Sequence, residues 1–172
     1  MSEKKEKIVS YDSFTLPNTV VTHVDVSRLV REMERVDNEL TTAAVRKKAG
    51  SHGAASPLLS DELADFLDDN NIGLENSHDR TTLIKHLREL KDKAPVVHMT
   101  FAAPADPESL QELVLWFRKS VNKQTLLEVG LQPALVGGVY IRTPNHVHDF
   151  SLRSKLQGQR ELLMTELGAL RG

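Results

Sequence analysis

The chain of 172 residues contains no cysteine. That absence removes disulfide scaffolds, thiol nucleophiles and cysteine-ligated zinc together. Aromatic residues are scarce, with one Trp, two Tyr and five Phe, and the formal net charge is only −2. Neither a base-stacking platform nor a basic groove is expected, so nucleic acid is not an expected partner. No apolar run nears the roughly 18 residues of a membrane helix. The longest, Ala134 to Ile141, has about eight. The opening MSEKKEKIVS mixes acids with bases and lacks an apolar stretch, which argues against a signal or transit peptide. What is there, 40% hydrophobic and 27% charged, suits one domain or two small ones.

Charge and hydrophobic period divide the chain near residue 95. Residues 1–94 carry 14 Lys and Arg against 17 Asp and Glu, whereas residues 95–172 carry 8 against 7. The first part reads as mainly helical after an extended start containing Val9, Tyr11, Phe14 and Leu16. Val26, Leu29, Met33, Val36, Leu40 and Ala44 recur every three or four residues, the apolar stripe of a helix that Asp25 or Ser27 can cap. Gly50 to Pro57 is too polar and flexible for helix and predicts a loop near 49–58. A short helix is expected from Ser60 to about Asn71, with Leu63, Phe66 and Leu67 on one face. A third is expected near Asp79 to Lys93, carrying Leu83, Ile84, Leu87 and Leu90 before Pro95 stops it.

From Pro95 the period changes to that of a strand. Val97, Met99 and Phe101 alternate, as in a half-buried strand. Asp106-Pro107-Glu108 starts a helix whose stripe is Leu110, Leu113, Val114, Phe117 and Val121. Strands are expected over Thr125–Leu131, Val136–Arg142 and His146–Phe150, with a turn at Pro144-Asn145. A two-residue hairpin loop there would put Arg142 opposite Val147, and a three-residue loop opposite His148. Ser151 caps a final helix bearing Leu152, Leu156, Leu163, Leu167 and Leu170. The expected fold class is mixed α+β: a helical region, 1–94, followed by a small α/β domain, 95–172, in the order strand-helix-strand-strand-strand-helix. A right-handed crossover would join its first two, parallel strands.

Catalytic chemistry has little to stand on. His146 and His148 point the same way on a strand and could share a metal, but no third ligand is fixed nearby, so no metal site is assigned. Gly137-Gly138 lacks the spacing of a phosphate loop and reads as a bulge or close-packing site. No serine stands in a nucleophile elbow. Asp68-Asp69-Asn70-Asn71 lacks the alternating ligands and terminal Glu of a calcium loop. No catalytic residue and no cofactor is expected.

The run from Val129 to Arg142, VGLQPALVGGVYIR, followed by Asp149 to Leu156, DFSLRSKL, resembles the carboxy-terminal signature of the delta subunit of F-type ATP synthase. The mitochondrial counterpart of that family is the oligomycin-sensitivity-conferring protein. Gly137, Gly138, Arg142, Asp149, Ser151, Arg153 and Leu156 stand in the family's order, and residues 95–104 resemble the strand and turn before its crossover helix. Upstream, three helices are legible where the family carries a six-helix bundle.

The resemblance implies a non-catalytic connector in the peripheral stalk. It would link the catalytic head to the b-subunit stalk and resist rotor torque during proton-driven ATP synthesis. The implied partners are amino-terminal segments of the alpha subunits and the carboxy-terminal helix of the b subunit. The implied location is the cytoplasmic face of a bacterial cell membrane, touched only through the complex. Asp149 and Ser151 would favour the start of the last helix, with Arg142 and Arg153 as local partners of Asp149. The alternatives are a stand-alone interaction module with the same fold and, further off, a metal-binding enzyme built on His146 and His148. On the Asp106 helix, Leu115 and Trp116 fall on the side away from the stripe. They are either covered by another helix of the chain or form part of a partner groove, and they are the candidate partner-binding residues.

Overall fold

A computed structural model describes residues 10–50, 56–143, 145–160 and 164–165. The fold is mixed α+β and divides into two compact units, Met1–Pro95 with Gln111–Leu126, and Val96–Leu110 with Leu127–Gly172.

Three whole helices build the first unit together with the greater part of a fourth, from Gln111 on: α1 (His23–Lys48), α2 (Asp61–Asp69) and α3 (Ser77–Lys93). The cap of α1 is Thr22, not Asp25 or Ser27. Asp25 acts one turn in: its Oδ2 accepts the Thr22 N–H at 2.8 Å while Thr22 Oγ1 accepts the Asp25 N–H at 3.4 Å. Two orphan donors are thereby satisfied reciprocally before the first fully buried position, Val26. Ser60 caps α2 and is itself held by Glu32 of α1, whose carboxylate accepts both the Ser60 N–H at 2.8 Å and its hydroxyl at 2.6 Å. α3 begins two residues earlier than expected because Asn76 supplies the cap.

Val26, Leu29, Met33 and Val36 of α1 meet Leu63 and Phe66 of α2 and Leu83, Leu87 and Leu90 of α3 in one core. Leu40 is packed at its margin. Ala44, expected on the stripe, is exposed. Arg80 is buried beside this core, with Nε 2.6 Å from Asp37 Oδ1 and Nη1 donating to the Leu74 carbonyl at 2.8 Å. An irregular strap before α1 adds Phe14, Leu16 and Val20 to the core, with the Phe14 ring edge-on to Phe66 at 5.3 Å.

The second unit is organised around four strands, β1 (Val96–Phe101), β2 (Leu126–Leu131), β3 (Val139–Arg142) and β4 (Val147–Asp149), in the sheet order β2-β1-β3-β4. The Leu126 N–H donates to the Pro95 carbonyl and the Gln132 N–H to the Phe101 carbonyl, so β1 and β2 advance together and are parallel. β1–β3 and β3–β4 are antiparallel. Arg142 faces Val147, the register of the two-residue loop. Pro144 of that loop lies outside the described residues.

α4 (Pro107–Ser120) connects β1 to β2, and Asp106 caps it by accepting the Ser109 N–H at 2.8 Å. Val114 and Phe117 of the expected stripe are buried and Leu110 and Leu113 partly so, but Val121 is exposed because the helix ends before it. The third strand is shorter than expected: Val136 to Gly138 form a turn, since Val136 (φ 67°) and Gly138 (φ 84°) leave the extended region. The fourth is also shorter, losing His146 and Phe150. α5 runs from Leu152 to Gly158 behind the Ser151 cap. The expected stripe positions Leu163, Leu167 and Leu170 lie outside the described residues.

Candidate functional site

The two glycines sit where the chain turns from one 3-10 turn, Pro133–Leu135, into β3. Three carbonyls hold this corner. Gly138 accepts the Ala102 N–H at 3.3 Å, Gly137 accepts the Leu152 N–H at 2.8 Å, and Val139 accepts the Phe150 N–H at 3.0 Å. The corner therefore docks on the first residues of α5. A Cβ on Gly138 would collide with the Phe150 carbonyl oxygen, and one on Gly137 would stand 2.6 Å from Leu152 Cδ1. The approach is made to the start of α5, against Phe150 and Leu152.

Asp149 and Ser151 form a small capping unit at that junction. Ser151 is buried and its Oγ accepts the Ser154 N–H at 3.2 Å, closing the first turn of α5. The Ser151 N–H donates to Asp149 Oδ1 at 2.9 Å. The Ser151 hydroxyl and then this N–H hold the Asp149 carboxyl below its ordinary pKa, and the field of Arg153 lowers it further. Arg142 stands elsewhere on the sheet, opposite His98 and Val147. His98 Nδ1 in turn lies 3.0 Å from Glu128 Oε2. These groups set backbone geometry and local charge; nothing in them is arranged as a nucleophile with a base.

Leu152 and Leu156 lie one turn apart on α5, 49% and 60% exposed. On α4, Leu115 is 46% and Trp116 59% exposed, with the indole meeting the Phe117 ring edge-on at 5.0 Å. A large amphipathic ring left in water is the kind of side chain that anchors an interface. His146 and His148 are exposed with ring centroids 6.2 Å apart, and Phe150 stacks on His148 at 5.9 Å. Among the described residues no group of three metal-capable side chains comes together.

Sequence reasoning missed Arg118, Gln124 and Asn70. All three hold the strap through its main chain, a role with no periodic signature. It also missed a cleft of about 590 Å³ in the helical unit, lined from α1 by Glu34, Asp37 and Asn38 and from α3 by Lys85, Arg88 and Glu89 among others. Arg88 bridges the cleft to Glu34 at 2.5 Å. With Ile84 as its one aliphatic lining residue, it suits a charged segment better than an apolar small molecule.

A helical unit followed by a small mixed sheet, with exposed apolar side chains on α4 and α5, is the class of mixed α+β protein the geometry defines. Residues 79–163, just under half of the chain, match the family model described as ATP synthase delta (OSCP) subunit. Proteins named ATP synthase subunit delta are similar to it. The one from Clostridium beijerinckii is 31% identical over 61 residues, 36% of this chain and 34% of that protein. That of Cupriavidus metallidurans is 29% identical over 77 residues, 45% and 43% of the two chains. That of Myxococcus xanthus is 26% identical over 111 residues, 64% and 60%. The matched regions thus span between about a third and three-fifths of the length of these relatives. Among the described residues no helix is long and apolar enough to cross a membrane.

Proposed function

We propose that this protein is a non-catalytic connector of the peripheral stalk of an F-type ATP synthase, at the cytoplasmic face of a bacterial membrane. Residues 95–172 serve as the stalk-binding domain and take the carboxy-terminal helix of the b subunit. Residues 1–94 face the catalytic head and take amino-terminal segments of the alpha subunits, for which the charged α1–α3 cleft offers a surface. The protein makes and breaks no bond. Its task is to resist torque while protons drive the rotor, which needs contacts that add up over an apolar helix-in-groove interface.

The observation that supports this reading is the coincidence of the family match with exposed apolar side chains, Leu115 and Trp116 on α4 and, separately, Leu152 and Leu156 on α5. Trp116 is the only tryptophan and reports on itself. Its fluorescence should be red-shifted in the isolated protein and move to the blue on adding a peptide from the carboxy-terminal end of the b subunit of the same organism. Trp116→Ala should weaken that binding by about 2 kcal/mol or more. Melting should change little, because the ring is already largely in water. Unchanged affinity would remove Trp116 from the stalk surface and leave the exposed side of α5 to be tested. Capture from native membranes without ATP synthase subunits would favour a stand-alone module.

A further inference from the structure

Residues 11–21 have the burial of a core element and the backbone of a bound peptide. Phe14, Leu16, Val20 and Val21 are buried. Yet after the turn Tyr11–Ser13 the segment is neither helix nor strand. Its main chain is answered instead by side chains from far along the sequence. Asn70, at the end of α2, accepts the Thr15 N–H at 2.8 Å and donates to the Thr15 carbonyl at 2.9 Å. Gln124 Nε2 donates to the Tyr11 and Phe14 carbonyls at 2.5 and 3.3 Å. Arg118 Nη1 donates to the Leu16 and Pro17 carbonyls at 3.1 and 2.8 Å, and its Nη2 to the Val20 carbonyl. Main-chain bonds for affinity and apolar pockets for selected side chains are how grooves hold extended peptides.

Two observations make the segment separable from the rest. α1 closes its own amino terminus through the Thr22–Asp25 capping box, to which the strap adds the Val21 N–H at 3.2 Å from Asp25 Oδ2, and His23 Nε2 lies 2.7 Å from the Lys91 carbonyl of α3, so the start of α1 keeps anchors of its own when the strap leaves. Arg118, for its part, is met among the described residues by carbonyls: three from the strap, and that of Thr125, to which its Nε donates at 3.2 Å. Burial pushes its pKa down to about 10, which leaves it charged at neutral pH. With the strap out, its guanidinium meets water and lines an apolar slot with donors, whose complement is again an extended apolar segment offering carbonyls.

The geometry points to residues 11–21 being a detachable strap, the resident ligand of an extended-peptide groove formed by Asn70, Arg118 and Gln124, which leaves and re-enters as one piece while α1 and α3 stay folded. This goes beyond the connector reading and does not depend on it.

Hydrogen exchange of the full chain, with a trans-binding assay, tests it. Strap amides, the Thr15 N–H among them, should exchange together and about tenfold or more faster than the core amides of α1 and α3. Arg118→Met, which keeps the aliphatic stem, should speed the strap a further tenfold or so and leave the α1 and α3 core amides unchanged. Asn70→Ala should act in the same direction and serves if the Arg118 variant does not fold. A labelled synthetic peptide of residues 10–22 should bind the full chain saturably, and its Phe14→Ala version about tenfold or more weakly. Strap amides that exchange with the α1 and α3 core, variants that speed all amides alike, or a peptide that does not bind would overturn the proposal.

Discussion

The helical unit and the sheet unit dispose of their apolar side chains in opposite ways. In the first, a single continuous core takes Phe14 and Leu16 of the strap, the stripe of α1, the inner faces of α2 and α3, and Leu126. Each fully buried Leu or Phe there contributes about 1.5–3 kcal/mol relative to an exposed one. In the second, Val97, Met99, Leu127 and Leu135 are buried, while Val129, Leu131, Val136, Val147, Phe150, Leu152 and Leu156 remain exposed. Scattered exposed hydrophobics need no explanation, but a small unit that leaves more large apolar side chains outside than inside is suited to completing its burial on a partner. The contrast teaches where burial is completed within the chain: the helical unit encloses a continuous core, though Leu115 and Trp116 of its Gln111–Leu126 segment stay exposed, whereas the sheet unit is built around an edge and a corner.

The sharpest way to break that contrast is to empty the helical core. Phe66→Ala removes a fully buried ring that also meets Phe14, and should cost about 3–5 kcal/mol in chemical denaturation. A cost below about 1 kcal/mol would mean that the core is not continuous through the strap. Next comes the glycine corner. Gly138→Val combines a β-branched residue at positive φ with a collision against the Phe150 carbonyl, and should cost roughly 2–4 kcal/mol. Gly137→Ala meets only the half-exposed Leu152 side chain, which can turn away, and should cost about 1 kcal/mol or less. Equal costs at the two positions would show that the corner is not set by its backbone.

Ser151→Ala is a smaller probe still. It removes the cap of α5 at a cost of about 1 kcal/mol, and should also let the Asp149 pKa rise, because the Ser151 hydroxyl is the chief cause of its depression. Two carboxyls, one in each unit, differ in sign on acidification. Asp149 has a lowered pKa, so its contribution is present above the ordinary carboxylate range and is lost as pH falls through its folded value. Glu62, at the start of α2, has a raised pKa, chiefly from burial, against which Arg28 acts. Its contribution is present below its ordinary value and is lost as pH rises through the folded one. Carboxyl titration by NMR should find Asp149 below and Glu62 above the values in short peptides. The reverse order would undo both local accounts.

Much of the fold was legible because helices and caps are local. The 3.6-residue stripe of α1, the Asp106 and Ser151 caps, and Pro107 at the start of α4 follow from side chains within a turn of one another. Even the error at α1 was local, since Asp25 does take part in the cap, but as the partner of Thr22. The β3–β4 register was legible only as two alternatives, which the Arg142–Val147 pair decided.

Length, composition and hydrophobic period by themselves determined a helical part followed by a small sheet, the absence of thiol chemistry and the positions of most elements, because each depends on residue identity or on spacing within one element. Tertiary structure alone decided that Gly137 and Gly138 close on the start of α5, that Trp116 stays in water, and that Arg118 and Gln124 turn inward to the main chain of residues 11–20. The physical reason is that a polar side chain is buried only when distant backbone supplies its hydrogen bonds, and a chain in one dimension carries no record of which carbonyls will be near.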